Sequence, residues 1–125
     1  MSTDQHVPAP SREPTAAGLT YLRVVEEVTS SGITQAELAR AVGASVRTVQ
    51  NWARGANPPT GARAGKLLDI RSIVDQLRDS YTNEGIHIWL HSRNRNLDMR
   101  RPIDLLVDGR IEDVLEQARW VAGGM

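Results

Sequence analysis

The sequence predicts an all-α protein on three observations. Apolar residues recur in steps of three and four, as in Leu67, Ile70, Val74, Leu77 and Tyr81, which keeps them on one helical stripe. Helix start and stop residues bracket such runs: Thr34 with Glu37 three positions later, Ser45, Pro102, and the glycines Gly43 and Gly109. No alternating apolar and polar stretch of useful strand length occurs. The 125 residues suffice for one domain, or for two small modules sharing a core.

Each element follows from local signals. Residues 1–16, MSTDQHVPAPSREPTA, carry three prolines and few large apolar side chains, and predict a flexible tail. A first helix runs from about Gly18 to Ser30, with Leu19, Leu22, Val25 and Val28 at helical spacing, and Ser31-Gly32 stops it. Thr34 to Val42 forms a second helix with a capping box, ended by Gly43, and Ser45 caps a third that reaches about Arg54. Gly55 and Asn57-Pro58-Pro59 form a short linker. A longer helix spans about Ala62 to Thr82, and Asn83-Glu84-Gly85 is expected to break it. Ile86 to His91 is a short helix with Ile86, Trp89 and Leu90 on one side. A polar loop leads to Arg101, Pro102 opens a helix that Gly109 ends, and Ile111 to Val121 closes the chain.

Composition narrows the function. Apolar residues make up 40% and charged residues 24%, the balance of a globular chain. No run of about 18 apolar residues and no secretory leader pattern are present, which excludes a membrane partner and predicts a cytoplasmic protein. There is no cysteine, so neither a disulfide framework nor a thiolate zinc site is available. The 15 basic and 15 acidic residues cancel, but unevenly. Residues 34–66 hold Arg40, Arg47, Arg54, Arg63 and Lys66 against Glu37 alone, a net +4. Binding to a polyanion depends on such a local field rather than on the total.

Residues 34–55, TQAELARAVGASVRTVQNWARG, carry the strongest motif. Gln35, Ala39, Gly43, Val49 and Trp52 fall where two helices crossing through a three- to four-residue turn need them. A 100° step per residue puts Val46, Val49 and Ala53 inward, Arg47, Thr48 and Asn51 outward, and Gln50 at the edge. Arginine bonds guanine bidentately, and Asn or Gln does the same to adenine, so Arg47, Gln50 and Asn51 are candidate base readers. Gln35 and Arg54 are placed for phosphates, and Ser45 and Thr48 complete the DNA-facing set. The motif resembles the helix-turn-helix of the phage-repressor (Xre) family across its whole length.

Residues 85–125 carry a second resemblance, to the toxin-binding domain of the Xre/MbcA/ParS antitoxin family. It rests on Trp89-Leu90 closing a short helix, Asn94, Leu97, Arg101-Pro102 leading into Asp104-Leu105-Leu106, and Gly109 before a terminal helix. Family members commonly have a proline between the serine and the asparagine of this loop, where Arg93 stands here. The departure implies a less rigid loop. Together the two resemblances cover residues 19–123 and divide the chain into a tail (1–16), a helix-turn-helix domain (17–60) and a toxin-binding domain (61–125).

The resemblance implies an antitoxin, not an enzyme, with no cofactor. Its expected partner is a cognate toxin of the RES-domain, NAD-depleting type, whose active site the antitoxin's C-terminal region blocks. Promoter DNA is a second expected partner, with a homodimer or a hetero-oligomer with toxin as the assembly. The candidate toxin-binding residues are Trp89, Asn94, Arg100, Arg101, Leu105, Trp120, Val121 and Met125. On spacing, Ile103, Leu106 and Val107 share one side of their helix, leaving Leu105 to face a partner. Trp120 lies about 180° from Ile111 and is exposed if the last helix persists, or folds back as a lid if it frays. The loop arginines Arg93, Arg95, Arg100 and Arg101 have three readings: solvated charge, pairing with carboxylates of the long helix, or contact with an acidic partner or DNA phosphate.

Two other classes compete. A plain transcription regulator would use its C-terminal half for dimerisation or sensing. A metal protein would use His87 and His91, which are four apart on one helix face. Against the latter, no Glu follows His87 as in HExxH, no third ligand sits at a recognisable spacing, and GARAGK at 61–66 lacks the P-loop spacing.

Overall fold

The computed structural model of the chain describes residues 15–123. Its described residues form seven α-helices and one 3₁₀ turn: α1 Ala16–Ser30, α2 Gln35–Val42, α3 Val46–Ala53, α4 Gly61–Arg78, α5 Asn83–His91, the turn Arg95–Leu97, α6 Pro102–Val107 and α7 Ile111–Ala122. No β-strand occurs among them. All but the end of the expected tail lies outside the described residues.

The caps show why the helices begin where they do. Thr34 Oγ1 accepts from the Glu37 N–H at 3.0 Å while Glu37 Oε1 accepts from the Thr34 N–H at 2.9 Å, so each satisfies a backbone donor the helix leaves free. Gly43 ends α2 in the left-handed region, φ 78°. One expected break is misplaced. Asn83-Glu84-Gly85 is the first turn of α5, because Thr82 Oγ1 accepts from the Gly85 N–H and starts a new helix. Helix α4 therefore stops at Arg78, and Tyr81, expected on its apolar stripe, is exposed in the connection.

Helix α4 is the central element. It packs most extensively on α7 and also on α1, α2 and α5. Its Leu67, Ile70, Ile73, Val74 and Leu77 are buried and join one apolar cluster fed by all seven helices. Val24, Val25 and Val28 of α1, Leu38 and Val42 of α2, and Val49 and Trp52 of α3 supply the first half of that cluster. Ile86, Leu90, Leu97, Ile103, Leu106, Val114 and Leu115 supply the second. Polar ties reinforce the seam: Arg63 donates to Gly43 O at 2.7 Å, Arg71 pairs with Glu27 at 2.9 Å, and Arg78 donates to Glu27 O at 3.2 Å.

At Gly18 the start of α1 meets the end of the helix-turn-helix, and a Cβ there would stand 2.1 Å from Gly55 O. A backbone atom cannot swing aside as a side-chain tip does. Gly18→Ala is therefore expected to destabilise the protein by about 1–3 kcal/mol. A thermal melt checks this, and an unchanged midpoint would show that α1 shifts freely.

Besides Tyr81, three apolar positions differ from their expected orientation. Leu19 and Val46, in the first turns of α1 and α3, are exposed. Leu105 is buried (1% exposed) rather than partner-facing. Helix α6 has only six residues and lies between α2 and α5 on one side and α7 on the other, so Ile103, Leu105 and Leu106 all find cover. Val107 is the half-buried one.

Candidate functional site

Helix α3, which carries the candidate DNA-facing residues, is held from behind. Val49 and Trp52 are buried against α1 and α2, and Ser45 Oγ accepts from the Thr48 N–H at 3.1 Å at its start. Ser45 and Thr48 also bond each other through their hydroxyls at 2.9 Å, so both stiffen the N-terminus of α3. Arg47 and Gln50 are exposed on the opposite face. Asn51 is half-buried, and its Oδ1 accepts from the Arg54 guanidinium. Reading a base through Asn51, or gripping a phosphate through Arg54, would require that bond to be exchanged. Gln35 is half-buried in the first turn of α2.

The loop between α5 and α6 is a closed structure built on Asn94. The Asn94 N–H donates to Arg100 O at 3.0 Å, and Asn94 O accepts from Leu97 N–H at 3.0 Å and Met99 N–H at 2.9 Å. Asn94 Oδ1 accepts from the Asn96 N–H at 2.9 Å. The loop thus gains from Asn94 the fixed shape that a proline before it would otherwise encourage. Its far end turns through Asp98 and Met99, both left-handed at φ 57° and 63°. Leu97 is tucked into the core beneath it.

The arginines sort by partner. Arg101 grips Asp104 through Nε and Nη2, each at 2.8 Å, and Arg100 pairs with Asp108 at 2.6 Å. These carboxylates belong to α6 and its C-cap and not to the long helix, which was one of the three readings, because three- and eight-residue separations bring them closer. Arg93 and Arg95 are exposed and make no salt bridge with any described carboxylate. The Arg101 hydrogen bonds hold the Asp104 carboxyl below its ordinary value. A lowered carboxylate contributes stability that is complete above its unfolded value and lost as pH falls through the folded one. In a carboxyl NMR titration, Asp104 should therefore protonate at lower pH than an ordinary aspartate, about 3.9. A midpoint at or above that value would mean that the Arg101 clamp does not persist in solution.

Helix α7 runs to Ala122 without fraying, so Trp120 stands on its outer face, 55% exposed, and not as a lid. It walls a shallow hollow with Asn96, Glu116 and Gln117. Val121 is half-buried beside it, and Met125 lies outside the described residues. Trp89 is half-buried against the core. His91 bonds His87 O through Nδ1 at 2.8 Å and approaches Glu37 through Nε2 at 3.4 Å, tying α5 to the capping box of α2. In the C-terminal half after α4, the exposed apolar residues Ile88 and Met99 were not singled out from the sequence. Ile88 was legible as the position left off the Ile86–Trp89–Leu90 side. Met99 sat in a stretch with no periodicity to read.

Comparison with known proteins bears on both halves. A family model described as helix-turn-helix matches residues 26–70. The probable mycobacterial cidal antitoxin Rv3188 of Mycobacterium tuberculosis is 39% identical over 101 residues, covering 81% of this chain and 86% of that protein. The mycobacterial cidal antitoxin MbcA of Mycobacterium bovis is 31% identical over 94 residues, covering 75% and 83%. Among solved structures, the crystal structure of the M. tuberculosis MbcT–MbcA toxin–antitoxin complex contains a chain that superposes with a TM-score of 0.69. That match has 28% identity and covers 89% of this chain and 97% of the other.

Proposed function

Since the chain belongs to the family of mycobacterial cidal antitoxins, a non-enzymatic class, we propose that it neutralises a cognate RES-type, NAD-depleting toxin by covering the toxin's active site with its C-terminal region. The observation that carries this reading is Trp120, a large aromatic left exposed at the end of a fully formed helix. A monomer gains nothing from solvating an indole there, whereas tryptophan is enriched among the residues that dominate interfaces. Val121 would extend the same surface, and Met125 lies outside the described residues. Trp89, Asn94, Arg100 and Arg101 act behind it by fixing the α5–α6 loop, and Leu105 by filling the space beneath α6. The likeness to a chain crystallised within a toxin–antitoxin complex, extending over 89% of this chain, supports a toxin partner. Co-expression with the adjacent reading frame tests this: the frame should be lethal alone, harmless with this chain, and co-purify with it. A harmless frame, or one that does not co-purify, would instead favour a plain regulator.

Within the same reading, residues 17–60 bind the operon's own promoter through α3. Arg47 and Gln50 are free on the exposed face, within residues 34–66, whose net charge is +4. Arg47 reads guanine, and Gln35 and Arg54 flank it for phosphate contact. Arg47→Ala should weaken specific promoter binding by about 1–3 kcal/mol at a fixed salt concentration. Equal losses on promoter and random DNA would reassign Arg47 to the phosphates.

A further inference from the structure

Several of the candidate DNA-facing side chains of α3 are engaged with one another. Ser45 and Thr48 bond through their hydroxyls at 2.9 Å, and Asn51 Oδ1 accepts from Arg54. Arg47 and Gln50 take part in neither pair and are exposed. A third side chain shares their face. Val46, the first residue of α3, is 40% exposed although its spacing predicts an inward position. Around the helix it stands about 40° from Gln50 and about 100° from Arg47. The fold makes little use of it. Val46 takes no part in the apolar cluster that holds Val49 and Trp52. A β-branched side chain is also a poorer helix former than alanine, so neither packing nor helix propensity calls for an isopropyl group there.

In the major groove of DNA, thymine presents a feature that the other three ordinary bases lack, a methyl group at C5, and an apolar side chain recognises it by contact. We propose that Val46 is a specificity-determining residue that reads a thymine C5 methyl next to the base pairs contacted by Arg47 and Gln50. This rests on the promoter-binding reading and adds a base type to it: guanine for Arg47, adenine for Gln50 and the thymine methyl for Val46. A protein partner fits this side chain less well. Its neighbours on the exposed face are Arg47, Gln50 and Arg54, within residues 34–66 of net charge +4. One isopropyl group among polar and cationic side chains is too small for the apolar centre of a protein interface, but it matches a single methyl.

The test uses the full chain and a synthetic duplex of the operon's promoter, with a random duplex of equal length as reference and salt held fixed. Wild-type chain that binds both equally would remove the promoter reading, and this assignment with it. Each thymine in the stretch protected from nuclease is then replaced in turn by deoxyuridine, which deletes only the C5 methyl. The synthetic strands carry no methylated cytosine, so a loss belongs to thymine. At the thymine that Val46 touches, wild-type chain is expected to lose about fourfold in affinity, the worth of one buried methyl. Val46→Ala is expected to lose a similar factor on the unmodified promoter and nothing further on that uracil duplex, because the contact is already gone. Its fold is checked by circular dichroism, and the uracil scan of wild-type chain needs no variant at all. A flat uracil scan, or Val46→Ala that binds like wild type or stays as sensitive to the missing methyl, would overturn the assignment and leave specific promoter binding standing. Equal losses by Val46→Ala on promoter and random duplex would also overturn it, placing Val46 in the support of α3 and not in base reading.

Discussion

Trp52→Ala is expected to lower the stability of the protein by about 3–5 kcal/mol, the cost of removing a fully packed indole and leaving a cavity that neighbours fill only in part. Trp52 is 2% exposed and sits where α3 meets α1 and α2. Typical domains hold only about 5–15 kcal/mol in total, so this one substitution removes a large share. The effect should not stay in the helix-turn-helix. The buried cluster is continuous from Val49 and Trp52 through α4 to Val114 and Leu115, and α4 contacts both halves. On the proposed reading, toxin binding through Trp120 should therefore weaken at temperatures where the variant is partly unfolded. Chemical denaturation followed by two probes, one near each end, checks this. A single shared midpoint, shifted down, is the expected result. Two separated transitions would mean that residues 17–60 and 61–125 unfold independently despite the shared cluster.

How much of this was legible depends on how many sides of an element are covered. Helices packed on one face obey the periodicity rule: the α4 stripe from Leu67 to Leu77 and the α7 face from Ile111 to Ala118 are buried as spacing requires, whereas Tyr81 falls past the end of α4. The rule fails for α6, because a six-residue helix enclosed on several sides has no free face, and Leu105 is buried with its neighbours. It fails again at Val46, where the helix wheel gives a direction but not whether anything lies in that direction. The capping box at Thr34 and Glu37 was readable because its chemistry is local. The Arg101–Asp104 clamp is equally local, a three-residue spacing within one helix start. The shape of the α5–α6 loop was not readable. Left-handed Asp98 and Met99 carry no glycine to announce them, and only the hydrogen bonds converging on Asn94 account for them. Of the candidate base readers, Arg47 stands as expected, whereas Asn51 is engaged by Arg54, a pairing set by rotamers that residue order does not disclose.

The same substitution at the other end of the chain should behave in the opposite way. Trp120→Ala is expected to change stability by less than about 0.5 kcal/mol, since a largely solvated side chain on the outer face of α7 leaves no cavity behind. Its effect on the toxin complex should be large. A tryptophan anchor commonly accounts for about 2 kcal/mol or more of an interface, which is roughly a thirtyfold loss in affinity. Because such differences fall mainly on dissociation, the complex should form at a nearly normal rate and fall apart faster. Surface-based kinetics with purified toxin, beside a thermal melt of the free chain, separates the two quantities. Weak binding with an unchanged melt is the expected pattern. A lowered melt with unchanged binding would mean that the indole covers α7 in solution as a lid, and the blocking surface would then have to be sought elsewhere.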